Sequence, residues 1–179
     1  MTSWCVALML VAVTGCATAP VDPAQETLDE RDGTTITRLA EPLGFVAEKV
    51  RTAGTDPFAL LAPFETNRMG LRRLYLWIAV PVESKADVTV AVMHDDTLLL
   101  QANTPLEPEQ GAAVRPPYPT TAPWQRQFVS ELTDAQLAAL TQAEKLTIEL
   151  RYDDGHSERF AVEAPARSVL EQFRSRLGL

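Results

Sequence analysis

The stretch "LRRLYLWIAVPVE", residues 71 to 83, decides the reading of the fold. From Leu74 to Val82 it is apolar at every position except Pro81. A strand with one wet face would alternate apolar and polar residues, and this one does not. Its length is well short of the ~20 residues that cross a bilayer. A short, unbroken apolar run rich in aromatic and β-branched residues predicts a central strand buried on both faces.

The neighbouring segments carry weaker strand signals. "TTITRLA" (34 to 40) and "GFVAEKV" (44 to 50) are short β-branched runs around a Pro-Leu-Gly break. "GTDPFALLAPF" (54 to 64), with its two prolines, predicts an apolar loop or short helix. "ETNRMGLRR" (65 to 73) predicts a polar hairpin connection with Gly70 in the left-handed region. Residues 87 to 103 read as strand, turn, strand, with the break at Asp95-Asp96.

Six of the 13 prolines fall between 104 and 123, which predicts a long, stiff, irregular segment. Thr133 and Gln136 have the spacing of a capping box, with Leu132 and Leu137 placed as a hydrophobic staple. From Lys145 the period becomes two: Leu146, Ile148, Leu150 and Tyr152 share one face. "DDGH" (153 to 156) turns the chain into a strand carrying Phe160 and Val162, and Pro165 introduces a final helix over about 166 to 177.

About seven strands and two helices follow. The strands between 34 and 103 come in succession without helices, which favours antiparallel pairing. The predicted fold class is mainly β: an antiparallel β-sandwich with one connecting helix and a C-terminal helix. The alternative is a single antiparallel α+β sheet with both helices on one face. The 179 residues are predicted to hold one globular domain, 34–179, and the formal net charge of −8 argues against nucleic acid as a partner.

The N-terminal 15 residues, "MTSWCVALMLVAVTG", carry no charged side chain, and their apolar run from Trp4 to Val13 has the length of an export-signal core. Val13-Thr14-Gly15-Cys16 resembles the lipobox of bacterial lipoproteins: an aliphatic residue, two small residues and an obligatory cysteine. The resemblance covers about 20 residues and does not extend to the body, whose general character is similar to that of small envelope lipoproteins of Gram-negative bacteria. It implies a signal peptide at 1–15 and cleavage before Cys16, whose thiol would carry acyl chains. Each buried CH₂ of such chains contributes about 0.8 kcal/mol to membrane attachment, so two or three chains anchor firmly. Ala17 after the cysteine implies, by the family's sorting rule, the outer membrane. A plain secretory signal cut after "ATA" (17 to 19) is the alternative and would leave the body free in the periplasm. Cys5 would depart with the signal, leaving no disulfide in the mature chain. Residues 16–33, polar and acidic after the cysteine, are expected to form the lipidated end and a flexible tether of up to about 55 Å.

The residues name no reaction. The sequence has no HExxH, CxxC, phosphate loop or GxSxG. His94 in "MHDD" and His156 in "DDGH" would bind a metal only if two predicted turns met in space, and turns favour aspartate in any case. No catalytic residue, metal or cofactor is therefore expected. Arg68, Arg72 and Arg73 form a basic patch on an acidic chain and are candidates to contact an anionic partner. Tyr118 and Trp124, beside stiff proline backbone, are candidate anchors for an envelope protein partner unless their rings fold back on the sheet. The expected function is a non-enzymatic binding or envelope-assembly module held by lipid at the periplasmic face of the outer membrane. The alternatives are an exported metal-dependent or carboxylate-based hydrolase, and a carrier of a lipid or apolar ligand.

Overall fold

The computed structural model describes residues 22–48, 58–82, 87–106, 115–119, 125–162 and 166–179. The signal segment, the lipidation expected at Cys16 and the contact expected at Trp124 lie outside the described residues. Among the described residues the chain forms ten strands and two helices: β1 (Ala24–Asp29), β2 (Thr34–Leu39), β3 (Leu43–Ala47), β4 (Phe58–Arg68), β5 (Leu71–Pro81), β6 (Val88–His94), β7 (Thr97–Ala102), β8 (Gln125–Leu132), α1 (Asp134–Gln142), β9 (Leu146–Tyr152), β10 (Ser157–Val162) and α2 (Ala166–Arg176). The fold is mainly β and antiparallel, with one connecting and one C-terminal helix. All ten strands belong to one sheet, as in the single-sheet alternative.

β4 is the hub of that sheet. One edge pairs with β5 along nine residues, from Leu60 opposite Ala79 to Arg68 opposite Leu71, and β5 in turn pairs with β8. The other edge is shared: β2 takes Phe64–Asn67 and β3 takes Phe58–Leu61. Beyond β2 lies β1; beyond β3 the order runs β10, β9, β6, β7. Thr35 faces Asn67 while Leu43 faces Leu61, so two extra residues are absorbed around Ala40–Pro42, where the sheet forks. Pro63, which has no amide hydrogen to give a ladder, sits on β4 at this fork, where neither β2 nor β3 supplies a partner. The sheet is not closed, yet two of its three end strands approach: Pro105, just past β7, forms an isolated bridge with Phe128 of β8, and Leu106 N–H donates to Gln127 O at 2.7 Å.

Period-two alternation sorts β5 into two faces. Leu74, Leu76, Ile78 and Val80 share the inner one with Phe128 of β8, which lies opposite Ile78. They join one core cluster with Phe45, Phe160, Ile148 and Val92 from the other branch of the fork. Tyr75, Trp77 and Ala79 share the outer face, and they too are buried. The Tyr75 ring stacks on Phe64 at 5.3 Å, and the Trp77 indole N–H donates to Gln127 Oε1 at 3.2 Å. The cover over Trp77 comes from Tyr118, whose ring centroid stands 4.8 Å away and whose hydroxyl donates to Leu39 O at 2.7 Å. The Arg38 guanidinium lies over the same ring at 4.6 Å.

Three strands depart from the sequence expectation. β1 lies within the predicted tether, and all six of its residues pair with β2. β4 occupies much of the predicted proline loop, because the fork tolerates Pro63. β8 follows directly on the proline segment. The capping box is present as read: Gln136 N–H donates to Thr133 Oγ1 at 3.2 Å, and Thr133 N–H donates to Gln136 Oε1 at 2.9 Å. The β4–β5 and β6–β7 hairpins both turn through two residues of positive φ, Met69-Gly70 at 52° and 86° and Asp95-Asp96 at 47° and 62°, as the right-handed strand twist favours.

Truncating the centre of this packing has a measurable cost. Trp77→Ala is expected to lower unfolding free energy by about 3–5 kcal/mol in urea titration. Tyr118→Phe, which leaves the buried Leu39 carbonyl unmet, is expected to cost about 1–2 kcal/mol. A cost below ~1 kcal/mol for Trp77→Ala would show that the indole is not a core group.

Candidate functional site

The polar ends of β1, β2, β4 and β5 meet near the Met69-Gly70 turn, and their two faces have different chemistry. Arg72 and Arg73 are adjacent in sequence and therefore point to opposite faces. The row Thr35, Asn67, Arg72 is on the inner face, and the row Ile36, Thr66, Arg73 is on the outer one.

On the inner face Arg72 is a structural clasp. Its Nε donates to Glu65 Oε2 at 2.7 Å, and its Nη2 donates to Leu177 O at 2.8 Å, just past the end of α2. Glu65 is buried and Arg72 is half-exposed. The carboxylate beside Arg72 raises the guanidinium pKa further above its already high value. The anionic contact expected of Arg72 is thus made within the chain.

On the outer face the chain forms an open cleft of about 290 Å³. Arg68 and Arg73 line it from the hairpin, Thr34 and Thr66 from the strands, and Arg115 from the segment that Tyr118 fastens. Asp29 and Asp32, at and after the end of β1, complete it. Arg115 Nη1 lies 3.4 Å from Asp29 Oδ2. The Asp32 carboxyl is held below the usual carboxylate value, first by the Thr34 hydroxyl and backbone N–H, and more weakly by the positive charge of Arg68. The Thr34 N–H donates to Asp32 Oδ1 at 3.0 Å. Arg73 forms no ion pair among the described residues, and it also lines a neighbouring depression with Glu131 and Asp134.

The structure therefore brings Arg68 and Arg73 together and separates Arg72 from them. Tyr118, only 6% exposed, folds back on the sheet as core cover, which is the alternative the sequence left open for it. Burial pushes its phenol above the ordinary value and keeps it a neutral donor. Arg115, Asp29, Asp32, Thr34 and Thr66 were not legible as site residues. The alternation rule could have divided Arg72 from Arg73, whereas Arg115 reaches the cleft through contacts far along the chain, its own with Asp29 and that of nearby Tyr118 with Leu39.

Other possible centres do not assemble. His94 sits at the end of β6 opposite Leu146, and His156 follows the opposite end of β9. The six residue steps from Leu146 to Tyr152 separate them by about 20 Å at ~3.3 Å per residue, so they cannot share a metal ion. Two glutamates, Glu65 and Glu149, are buried among the described residues, on strands that do not pair. A carboxyl that acts as a general acid needs a raised pKa, and Glu149 shows the reverse. Hydrogen bonding to Arg151 lowers its pKa first, burial opposes that, and the charges of Arg151 and Arg159 lower it further. A second depression, of about 430 Å³, is lined by Leu140, Leu146, Val162 and Ala166 where the helices meet β9 and β10.

The Glu149 cluster has a pH signature. Its folded pKa is depressed, so its contribution to stability is present above about pH 4.5 and is lost as pH falls below that value. Glu149→Gln is expected to lower stability at neutral pH and to flatten the decline below about pH 4.5. Identical acid limbs in chemical denaturation of the two proteins would contradict the ion cluster.

Comparison with protein-family models, with curated proteins and with solved structures finds no match for this chain.

Proposed function

We propose that the chain is a lipid-anchored envelope protein whose body is a non-enzymatic binding module, held by Cys16 at the periplasmic face of the outer membrane. The observation that supports the binding reading is the outer-face cleft: three guanidinium groups against two carboxylates, Asp29 and Asp32, a local excess of positive charge in a protein whose formal net charge is −8. Such a local reversal of sign attracts an anionic group of a partner and orients it. The cleft rests on paired strands, so it is preorganised. Its rim carries Met69 and Leu71, which are 98% and 61% exposed and supply apolar contact beside the charges.

Two measurements in intact bacterial cells test this reading. The wild-type chain is expected to incorporate a labelled fatty acid and Cys16→Ser to lose it; absence of label from the wild type, or its retention in the variant, overturns the anchor. A photo-crosslinking residue at Leu71 is expected to give an adduct that Arg73→Ala weakens, whereas one at Leu98, on β7, is expected to give none of that size. The same adducts from both positions, or none from Leu71, overturn the binding module.

A further inference from the structure

The cleft holds both signs of charge, and their placement narrows the class of ligand. We infer that it binds a zwitterion in which a phosphate and a primary ammonium lie a few ångströms apart, the phosphate on Arg68 and Arg73 and the ammonium on Asp29 and Asp32. This inference rests on the binding-module reading and names its ligand.

Register places the phosphate end. Thr66 lies opposite Arg73, and Arg68 lies opposite Leu71, so Arg68 and Arg73 are diagonal neighbours on one face. Such diagonal pairs have Cβ atoms about 7–8 Å apart, within the reach of two arginine side chains closing on one oxyanion. The Thr66 hydroxyl belongs to the same row, and Thr34 lines the same cleft. Arg73 forms no ion pair among the described residues, although Glu131 of β8, opposite Tyr75, is its diagonal neighbour on the other side.

The acidic end is built into the β1–β2 turn. Asp29 accepts a hydrogen bond from the Arg31 N–H at 3.1 Å, and Asp32 accepts one from the Thr34 N–H at 3.0 Å, so both carboxylates are fixed in place. The Thr34 hydrogen bonds, and more weakly Arg68, lower the Asp32 pKa and so favour its charged form. A simple anion entering the cleft would meet two carboxylates, and a simple cation would meet three guanidiniums. A zwitterion meets the opposite charge at each end. The cleft's volume of about 290 Å³ is at the small end of ligand pockets, which suits a head-group-sized molecule.

Phosphoethanolamine is the simplest compound of this class, and glycerophosphoethanolamine presents the same groups as a lipid head group does. The test is calorimetric titration of the full chain in an alkyl maltoside, which carries neither phosphate nor amine. Phosphoethanolamine or glycerophosphoethanolamine is expected to bind saturably and at least about tenfold tighter than inorganic phosphate or ethanolamine. A stronger diester signal marks a lipid source, and a stronger monoester signal marks a free solute. Arg73→Ala is expected to weaken the zwitterion about tenfold or more. Asp32→Asn, which keeps an acceptor for the Thr34 N–H, is expected to remove the preference over inorganic phosphate while phosphate binding persists. The inference is overturned if neither zwitterion saturates, if inorganic phosphate binds equally well, or if Asp32→Asn leaves the preference intact. An adduct at Leu71 in cells together with no zwitterion binding would retain the binding module and reject this ligand. Absence of both would reject both.

Discussion

Burial of β5 on both faces is the constraint from which the rest of the structure follows. A strand that offers Leu74, Leu76, Ile78 and Val80 on one side and Tyr75, Trp77 and Ala79 on the other cannot leave either side in water. At roughly 25 cal/mol per Å² of apolar surface, exposing either face would remove several kcal/mol from a fold whose total stability is of the order of 10 kcal/mol. The inner face is satisfied by the sheet itself, which forks at β4 and brings Phe45, Phe160, Ile148 and Val92 into the same core. The outer face is covered at Trp77 by the Tyr118 ring, fixed by its bond to Leu39 O, while Phe64 stacks on Tyr75.

The position of the cleft follows from where that apolar demand stops. The β4–β5 hairpin continues beyond Leu74 as Arg73, Arg72 and Leu71, so its last turn extends past the core with polar side chains. On the inner face Arg72 and Glu65 use that extension to bind the end of α2. On the outer face nothing in the described chain covers Arg73, and Tyr118 sets Arg115 beside it. One contact thus closes the core and completes the charged rim. The path from packing to binding is short: the group that excludes water from Trp77 also places the third guanidinium of the cleft.

Much of this was legible from local pattern. The doubly buried strand, the two tight hairpins, the capping box and the period-two run from Leu146 are each set by residues within a few positions of one another. The elements that were not legible depend on partners far along the chain. β1, "AQETLD", has no apolar alternation because it is an edge strand exposed along most of its length. β4 carries Pro63, which argues against a central strand unless a fork lies beside it. Tyr118 and Leu39 are 79 residues apart, and no local rule joins them. The arginine patch was visible as composition. Its division into a clasp and a cleft required register.

With both faces buried and Tyr118 over Trp77, β5 should be among the best-protected strands. Native-state hydrogen exchange, read residue by residue in the wild type and in Tyr118→Ala, tests this most directly. The amides of Leu74–Val80 are expected to be among the slowest in the wild type. In the variant, protection should fall first around Trp77 and Leu39, while β9 and β10 keep theirs. Exchange of β5 as fast as that of edge strand β1, or a Tyr118→Ala variant unchanged at Trp77, would contradict it.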